Sequence, residues 1–336
     1  MNVLSVAYPL LPVGPDAGGG AEQILSLIDR GITERKHRSI VIGAKGSTVA
    51  GEWIESPVFE GEMTEEVRER AQREHLRLLE ETLARDRIDV IHFHGLDFFK
   101  YVPSVRVPKV TTLHLPCSWY PQDVLRFPKC QLVCVSDSQA RSAPTTNGLK
   151  VIPNGIDTGQ YAAGAGERKH LIWLGRVCPE KGVHIALEIA HELDLPLLVA
   201  GPVHPLRDHE MYFAEKVQPL LDNKRQYVGA VGLCRKKQLL AEAICLLNPS
   251  LVQETSSLVA MEAISSGTPV VAFRTGALPE IVEEGVTGFL VNSKQEMAEA
   301  VARTVGLSSE RCRERAEARF DAGRMVDDYL KLYASQ

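Results

Sequence analysis

Two glutamates separated by seven residues are the most informative chemical feature of the 336-residue sequence. Glu254 lies in a loop after the predicted strand Ile244–Asn248, and Glu262 lies about one turn inside a helix predicted to begin near Leu258. A glutamate among apolar neighbours near a helix start is costly unless its carboxylate is bound. A ribose diol would satisfy Glu262, and Glu254 could take sugar hydroxyls. The alternative for each residue taken alone is an exposed surface glutamate.

The turn between these glutamates carries hydroxyl groups and free amides. Ser256 or Ser257 can cap the helix. The amides of Ser257, Leu258 and Val259 would then have no acceptor within the helix, so they could bind phosphate oxygens.

A basic pair follows an earlier strand. Gly175 and Arg176 come directly after the predicted strand His170–Leu174, and Lys181 opens the next helix. Arginine suits bidentate phosphate oxygens and lysine acts as a point charge, so the pair could neutralise a departing diphosphate. The alternative is a pair of solvated surface charges.

A glycine loop precedes the first helix. Gly18, Gly19 and Gly20 stand between the predicted strand Asn2–Tyr8 and the predicted helix Ala21–Glu34. Backbone amides at a helix start attract anions, and glycine permits close approach of a ligand. The spacing is not that of a dinucleotide fingerprint, which argues against an NAD site. The alternative is a flexible turn.

Two histidines share one face of a predicted strand. His92 and His94 are two residues apart in Ile88–His94, and His114 ends the strand Lys109–His114. A zinc site made from these three rings is one hypothesis. The favoured interpretation needs no metal: one ring packs in the sheet and the other lines a cleft.

The chain alternates short apolar strands with amphipathic helices in two successive runs, which predicts an α/β protein with two doubly wound domains facing each other across a cleft. The predicted first domain is 1–157 and the second is 158–336. Residues 154–169 lose all periodicity and are predicted to be a linker. The remaining predicted strands are Ser39–Gly43, Leu132–Ser136, Lys150–Ile152, Leu197–Ala200, Gln226–Gly229, Val270–Phe273 and Phe289–Val291; the remaining helices are Thr64–Arg87, Val183–Leu193, His209–Asp222, Lys236–Ala243, Leu258–Ser266, Gln295–Val305 and Met325–Tyr333.

Composition narrows the class of protein. The net charge of -5 without a basic block argues against a nucleic-acid partner. We expect no membrane-spanning segment, because no apolar run reaches about 18 residues, although the sequence leaves peripheral membrane contact open. Seven scattered cysteines, several in apolar runs, predict reduced thiols and a cytoplasmic protein.

Taken together, these motifs resemble the retaining family 4 glycosyltransferases. The resemblance rests on the paired glutamates, the Gly-Arg…Glu-Lys-Gly stretch, the run SSGTPVVAFRTGALPEIVEEGVTGFLV, VIPNGID and DVIHFHG, and it extends over nearly the whole chain. It implies a GT-B fold with two Rossmann-like domains, the acceptor mainly on the first domain and a nucleotide-diphosphate sugar on the second. It also implies transfer with retention of configuration and without metal or other cofactor.

The resemblance assigns a role to each motif. Arg176 and Lys181 hold the donor diphosphate, Glu262 holds the ribose, and Glu254 holds the transferred sugar. The Gly18–Gly20 loop closes over the phosphates, and His114 faces the sugar. The terminal helix, about 321–336, packs back on the first domain.

Two departures from the family pattern affect specificity. Thr255, Ser256 and Ser257 replace the usual aromatic residue or cysteine followed by glycine, which narrows the sugar pocket. Leu115 stands where a polar residue is common, so the acceptor side is unusual. The sequence favours UDP over GDP on frequency alone and leaves a glycan, lipid-linked or small-molecule acceptor open. The rival hypotheses are a nucleotide-sugar epimerase and a non-catalytic nucleotide-sugar binding protein.

Overall fold

The computed structural model describes residues 1–57, 64–126, 130–144, 148–164 and 167–336. These residues form two compact units. The first unit comprises 1–155 together with 322–336, and the second comprises 156–321.

The first unit is built on a parallel sheet with helices packed against it. Its described strands lie in the order β3-β2-β1-β4-β5-β6-β7. The strands are β1 (Asn2–Val6), β2 (Arg38–Ala44), β3 (Glu52–Ser56), β4 (Val90–Phe93), β5 (Lys109–Leu113), β6 (Gln131–Cys134) and β7 (Lys150–Val151); the helices are α1 (Gly20–Glu34), α2 (Glu65–Arg85), α3 (Asp137–Ser142) and the last helix of the chain, α11 (Ala322–Ala334).

The second unit repeats this plan, and its described strands lie in the order β10-β9-β8-β11-β12-β13, again all parallel. The strands are β8 (His170–Leu174), β9 (Leu197–Ala200), β10 (Arg225–Gly229), β11 (Ala243–Asn248), β12 (Val270–Phe273) and β13 (Gly288–Val291); the helices are α4 (Val183–Glu192), α5 (Arg207–Tyr212), α6 (Leu233–Ala241), α7 (Leu258–Ser265), α8 (Leu278–Ile281), α9 (Lys294–Arg303) and α10 (Ser309–Phe320).

Apolar strands explain why the sequence folds this way. Central strands such as β4 and β12 are almost wholly buried, as expected for parallel strands that helices cover on both faces. In the second unit, two separate apolar cores lie on the two faces of the sheet. The predicted strands and the fold class are confirmed.

Several predicted elements need correction. The helix predicted at His209–Asp222 ends its α-helical part at Tyr212 and continues as π and 3-10 turns, because Pro219 lacks the amide that a longer helix requires. Helix α6 begins at Leu233, before the predicted Lys236. Strand β3 and helices α3, α8 and α10 escaped prediction. Helices α3 and α8 are only six and four residues long, and β3 is a largely exposed edge strand. Helix α10 is so highly charged that its buried stripe of Cys312, Ala316 and Phe320 is hard to see.

The predicted linker also contains structure. Thr158–Gln160 forms a 3-10 turn, and the backbone of Ile156 bridges to Asp321. Within that segment, residues 165 and 166 lie outside the described residues. The 3-10 turn in this segment has only three residues, which are too few to show a helical period in the sequence.

In each sheet the order in which the chain adds strands reverses at one point. This point lies between β1 and β4 in the first unit and between β8 and β11 in the second. Ligands of doubly wound sheets bind beyond the carboxyl ends of the strands at such a reversal. The loops after these four strands carry the glycine loop, His94, Arg176 and Glu254. The topology therefore collects the motifs of each unit at its expected ligand-binding edge.

Candidate functional site

An ion pair in the second unit joins two motifs that are distant in sequence. The Nζ atom of Lys181 lies 2.6 Å from Oε1 of Glu254. The Glu254 side chain is only 10% exposed, so this pair is poorly screened by water. Lys181 ends the 3-10 turn Pro179–Lys181 that follows β8, and Glu254 lies in the loop after β11. The cation and the carboxylate therefore share one edge of the sheet.

Arg176 occupies a more open position than Lys181. Its side chain is 42% exposed, and Nη2 lies 3.3 Å from Oε1 of Glu180. An exposed pair of this length contributes little to stability, so the guanidinium can exchange Glu180 for an anionic ligand at small cost.

Backbone contacts fix the Glu254 loop. The amide of Ala277 donates to the Glu254 carbonyl over 2.8 Å, and the amide of Gly276 donates to Oε1 of Gln253 over 2.8 Å. Gly276 has a φ of +52°, and a Cβ atom built on it would lie 2.2 Å from the Glu254 carbonyl oxygen. This close approach leaves space for glycine alone.

Replacing Gly276 with alanine should therefore displace Glu254. We expect Gly276→Ala to weaken ligand binding at this edge of the sheet and to lower stability by more than the roughly 1 kcal/mol that positive φ alone costs an alanine. Gly285→Ala is the matched control, because Gly285 has a φ of +71° and nothing within 4 Å of its Cβ position among the described residues. Urea denaturation and ligand titration of both variants measure the difference. Equal effects in the two variants would contradict this account of the loop.

The start of α7 combines a side-chain cap with amides that have no acceptor in their own helix. Ser257 is the N-cap and accepts a hydrogen bond from the Ala260 amide, while Asn248 Nδ2 donates to the Ser257 hydroxyl over 3.2 Å. The sequence left Ser256 and Ser257 as alternative caps of this helix, and the structure shows that Ser257 is the cap. The hydroxyl of Ser256 is buried without a hydrogen-bond partner in the described parts of the chain. The first amides of a helix, here those of Leu258 and Val259, have no acceptor in their own helix.

Glu262 is held by two residues that the sequence patterns did not identify. Its Oε1 accepts a hydrogen bond from the Tyr161 hydroxyl over 2.9 Å and lies 2.5 Å from Nζ of Lys236. Glu262 is 3% exposed. Its Oε2 forms no hydrogen bond to any residue that the structure describes, so that oxygen is the one suited to a ligand hydroxyl.

Neither partner had a recognisable signal in the sequence. Tyr161 lies in the predicted linker, and Lys236 belongs to a basic run, Arg235–Lys237, that resembles an ordinary solvated face. Only the folded chain brings them to the buried carboxylate.

In the first unit, the glycine loop lies against a buried carboxyl group. Gly19 is the N-cap of α1, and a Cβ on Gly19 would lie 1.9 Å from Oε2 of Glu22. Glu22 is 5% exposed, and its burial raises the pKa of the carboxyl group. The loop thus has the backbone expected of an anion site, but Glu22 adjoins it, a residue that the sequence interpretation missed.

The three histidines of the first unit form a hydrogen-bonded chain. His114 Nε2 lies 3.0 Å from His94 Nδ1, and His94 Nε2 lies 3.2 Å from His92 Nδ1. His92 Nδ1 also lies 2.6 Å from the Tyr333 hydroxyl of α11, and His92 Nε2 lies 2.7 Å from Thr112 Oγ1. One set of neutral tautomers is consistent with these contacts: each ring donates from Nε2, and His94 accepts at Nδ1. The single lone pair of His92 Nδ1 is then shared between His94 Nε2–H and the Tyr333 hydroxyl.

Burial keeps these rings neutral. It lowers the pKa of His92 and His94 well below the ordinary value and that of His114 to about 3. The zinc hypothesis for this trio would require the metal to break the chain, because both ring nitrogens of His92 and of His94 already form hydrogen bonds.

The motifs thus fall into two groups. The first unit contains Gly18–Gly20 and His114. The second contains Gly175, Arg176, Lys181, Glu254, Ser256, Ser257, Leu258, Val259 and Glu262. Across the described ranges, no helix combines the length and the apolar character that a membrane crossing requires.

Two Rossmann-like units, each built on a parallel sheet, match the GT-B fold. A family model described as "Glycosyl transferases group 1" matches residues 168–306, and one described as "Glycosyltransferase Family 4" matches residues 18–160. The chain therefore carries two domains of the glycosyltransferase families, one in each half.

A curated relative and two solved structures illustrate the similarity. D-inositol 3-phosphate glycosyltransferase of Corynebacterium efficiens is 31% identical over 43% of this chain and 39% of its own length. The chain spans less than half the length of several curated relatives that it matches, this one included. Sucrose-phosphate synthase from Thermosynechococcus elongatus has a TM-score of 0.84 at 17% identity, covering 100% of this chain and 99% of the other. Anabaena HepE, in complex with UDP and glucose, has a TM-score of 0.75 at 20% identity over both whole chains.

Proposed function

We propose that this enzyme transfers a hexose from a nucleotide-diphosphate sugar to a hydroxyl acceptor, with retention of configuration and without a metal ion. The observation that carries the proposal is the pair of lysine-bound glutamates in the second unit, Lys181–Glu254 and Lys236–Glu262. A ligand with two hydroxyl-bearing ends and a charged centre is complementary to this arrangement.

The donor would bind in three parts. Oε2 of Glu262 accepts from the ribose hydroxyls, and Tyr161 and Lys236 hold the carboxylate in place for them. Arg176, Lys181 and the amides of Leu258 and Val259 bind the diphosphate. Glu254 accepts from hydroxyls of the transferred sugar. Lys181 touches Glu254, so one lysine would link the diphosphate and sugar positions.

Transfer would proceed at the face of the sugar that the diphosphate leaves. The bond between the anomeric carbon and the phosphate oxygen breaks while the bond to the acceptor oxygen forms on the same face. The acceptor proton passes to the departing phosphate oxygen. Preorganised cations and amides stabilise the developing negative charge, which is the main contribution that a protein can make to such a step. The roles that the family resemblance gives His114 and the Gly18–Gly20 loop belong to this proposal.

UDP is the favoured nucleotide, followed by GDP. Support for UDP comes from the Anabaena structure, whose bound molecules are UDP and glucose. The acceptor is a glycan, a lipid-linked glycan or a small molecule, and the inositol phosphate in the name of the Corynebacterium relative supports the last. All seven cysteines are free, which supports a cytoplasmic location.

Thermal unfolding with UDP, GDP, ADP, CDP and dTDP, without added metal, tests the donor site. A nucleotide at about 100 times its Kd should stabilise the protein by about 2.7 kcal/mol, which raises the Tm by several degrees. We expect one nucleotide to do so in the parent protein and in Glu317→Gln, an exposed control, and none in Glu262→Gln.

Absence of a shift with every nucleotide would contradict the proposed donor site. A shift without release of nucleotide from the corresponding sugar donor, across a panel of acceptors, would favour a binding protein. Conversion of the donor without any acceptor would favour an epimerase.

A further inference from the structure

A second cluster of reactive side chains in the second unit lies beside the diphosphate-binding segment and has no role in the proposed transfer. Cys178, Glu180 and His209 each place one ligand-type atom within 4.8 Å of those of the other two. Cys178 and Glu180 come from the turn after β8, and His209 comes from α5. Two segments well separated in the chain therefore converge on one point.

The histidine in this cluster has a buried atom without a partner. His209 is 9% exposed, and its Nδ1 forms no hydrogen bond to any part of the chain that the structure describes. A buried nitrogen of this kind is costly unless it binds something. A bound cation would satisfy that nitrogen.

The donor types select the cation. A thiolate, an imidazole and a carboxylate are the ligands that Zn²⁺ uses, whereas Mg²⁺ and Ca²⁺ prefer oxygen atoms alone. Ligand atoms on one tetrahedral zinc ion lie roughly 3–4 Å apart, because each is about 2.0–2.3 Å from the metal. Small side-chain rotations would bring the cluster to that spacing. Three protein ligands leave a fourth position for water or another ligand.

Neighbouring charges show what binding would change. Glu180 contacts the Arg176 guanidinium at 3.3 Å, and the Cys178 thiol donates to the Arg176 carbonyl over 3.4 Å. The ring of His204 lies edge-on to that of His209, with centroids 6.2 Å apart. A metal ion would take Glu180 and the thiol away from Arg176, and the thiol would release its proton to solvent as it binds the metal.

We propose that Cys178, Glu180 and His209 form a zinc site that takes no part in the bond changes of the transfer itself. Occupancy of this site releases the Arg176 side chain from Glu180. The site does not depend on the identity of the donor or acceptor, so it stands or falls independently of the proposed function.

Zinc titration of the whole chain tests the site. The protein is first treated with a chelator and dialysed, and Zn²⁺ is then added in competition with a chromophoric chelator. We expect one tight equivalent in the parent protein. Cys178→Ser and His209→Gln should weaken it by about 100-fold or more, since loss of outer-shell partners alone costs about 10–100-fold.

Matched controls separate this site from adventitious binding. Cys234→Ser and His191→Gln remove an exposed cysteine and an exposed histidine of the same unit and should keep the parent affinity. Glu180→Gln is a further test if His209→Gln fails to fold, because its side chain is 30% exposed and substitution there is mild. Titration with Co²⁺ should give a thiolate-to-cobalt absorption band in the parent protein and in Cys234→Ser, but none in Cys178→Ser.

Two results would overturn the proposal. One is the absence of any stoichiometric zinc equivalent in the parent protein. The other is a tight equivalent that survives in both Cys178→Ser and Glu180→Gln, which would place the metal elsewhere.

Discussion

Replacing Lys181 with methionine should lower kcat/KM for sugar transfer by about 10²–10³-fold, the usual cost of removing one preorganised group that stabilises transition-state charge. Affinity for the nucleoside diphosphate should fall by roughly 10–100-fold, because one charge-assisted contact is lost. Methionine keeps most of the volume of the lysine stem. The measurements are initial rates of nucleotide release from the sugar donor, for the nucleotide with the largest thermal shift, and calorimetric titration with that nucleotide.

The Lys181→Met variant also leaves Glu254 buried without its cation, so stability and catalysis need to be separated. The double variant Lys181→Met/Glu254→Gln removes both charges and should regain part of the lost stability but none of the activity. Lys294→Met, which breaks an exposed pair with Glu188, should match the parent protein in rate. A Lys181→Met enzyme with the parent kcat/KM would refute the proposed role of this lysine.

Acidification from pH 7 to pH 5.5 should destabilise the first unit strongly. Burial lowers the pKa of His92, His94, His114 and His75, the last to about 4, while the same rings titrate near 6.5 in the unfolded chain. Over this range the unfolded chain takes up protons that the folded chain does not, so stability is present above the unfolded pKa and is lost as pH falls below it. Each ring contributes about 1 kcal/mol, for roughly 4–5 kcal/mol in all.

Such a loss should lower the Tm of the first unit by about 10 °C or more. In Trp173→Phe, fluorescence reports this unit alone, through Trp53 and Trp119. His75→Phe keeps a ring beside Tyr101 and should reduce the pH dependence by one proton. A Tm that is the same at pH 7 and pH 5.5 would show that the histidine chain is not buried as a neutral network.

The histidine chain also shows how the last helix is bound to the first unit. The Tyr333 hydroxyl contacts His92, the Tyr329 hydroxyl lies 2.7 Å from Thr112 Oγ1, and Val326 packs against Gly31 of α1. Sequence periodicity predicts an amphipathic helix here, but it does not say which surface covers the apolar face. Local sequence patterns cannot predict these contacts, because the contacts join residues more than two hundred positions apart.

Strand boundaries and the position of Glu262 in its helix were predictable, because parallel strands and amphipathic helices repeat over short windows. The cap of α7 was narrowed to two serines for the same reason, and the structure selects Ser257. Helix α10 shows the limit of prediction from periodicity. Its three buried residues have helical spacing, but charged residues outnumber them and hide the pattern.

The sequence by itself determined most of the elements, their alternation and the residue types at strand ends, because these depend on propensities and spacings within a few neighbours. The tertiary structure decided which side chains come together: Lys181 with Glu254, Lys236 and Tyr161 with Glu262, and Cys178 with Glu180 and His209. Apart from Cys178 and Glu180, which share one turn, these partners come from different elements that packing brings together. Their distances depend on the twist and register of a whole sheet, which no local pattern encodes.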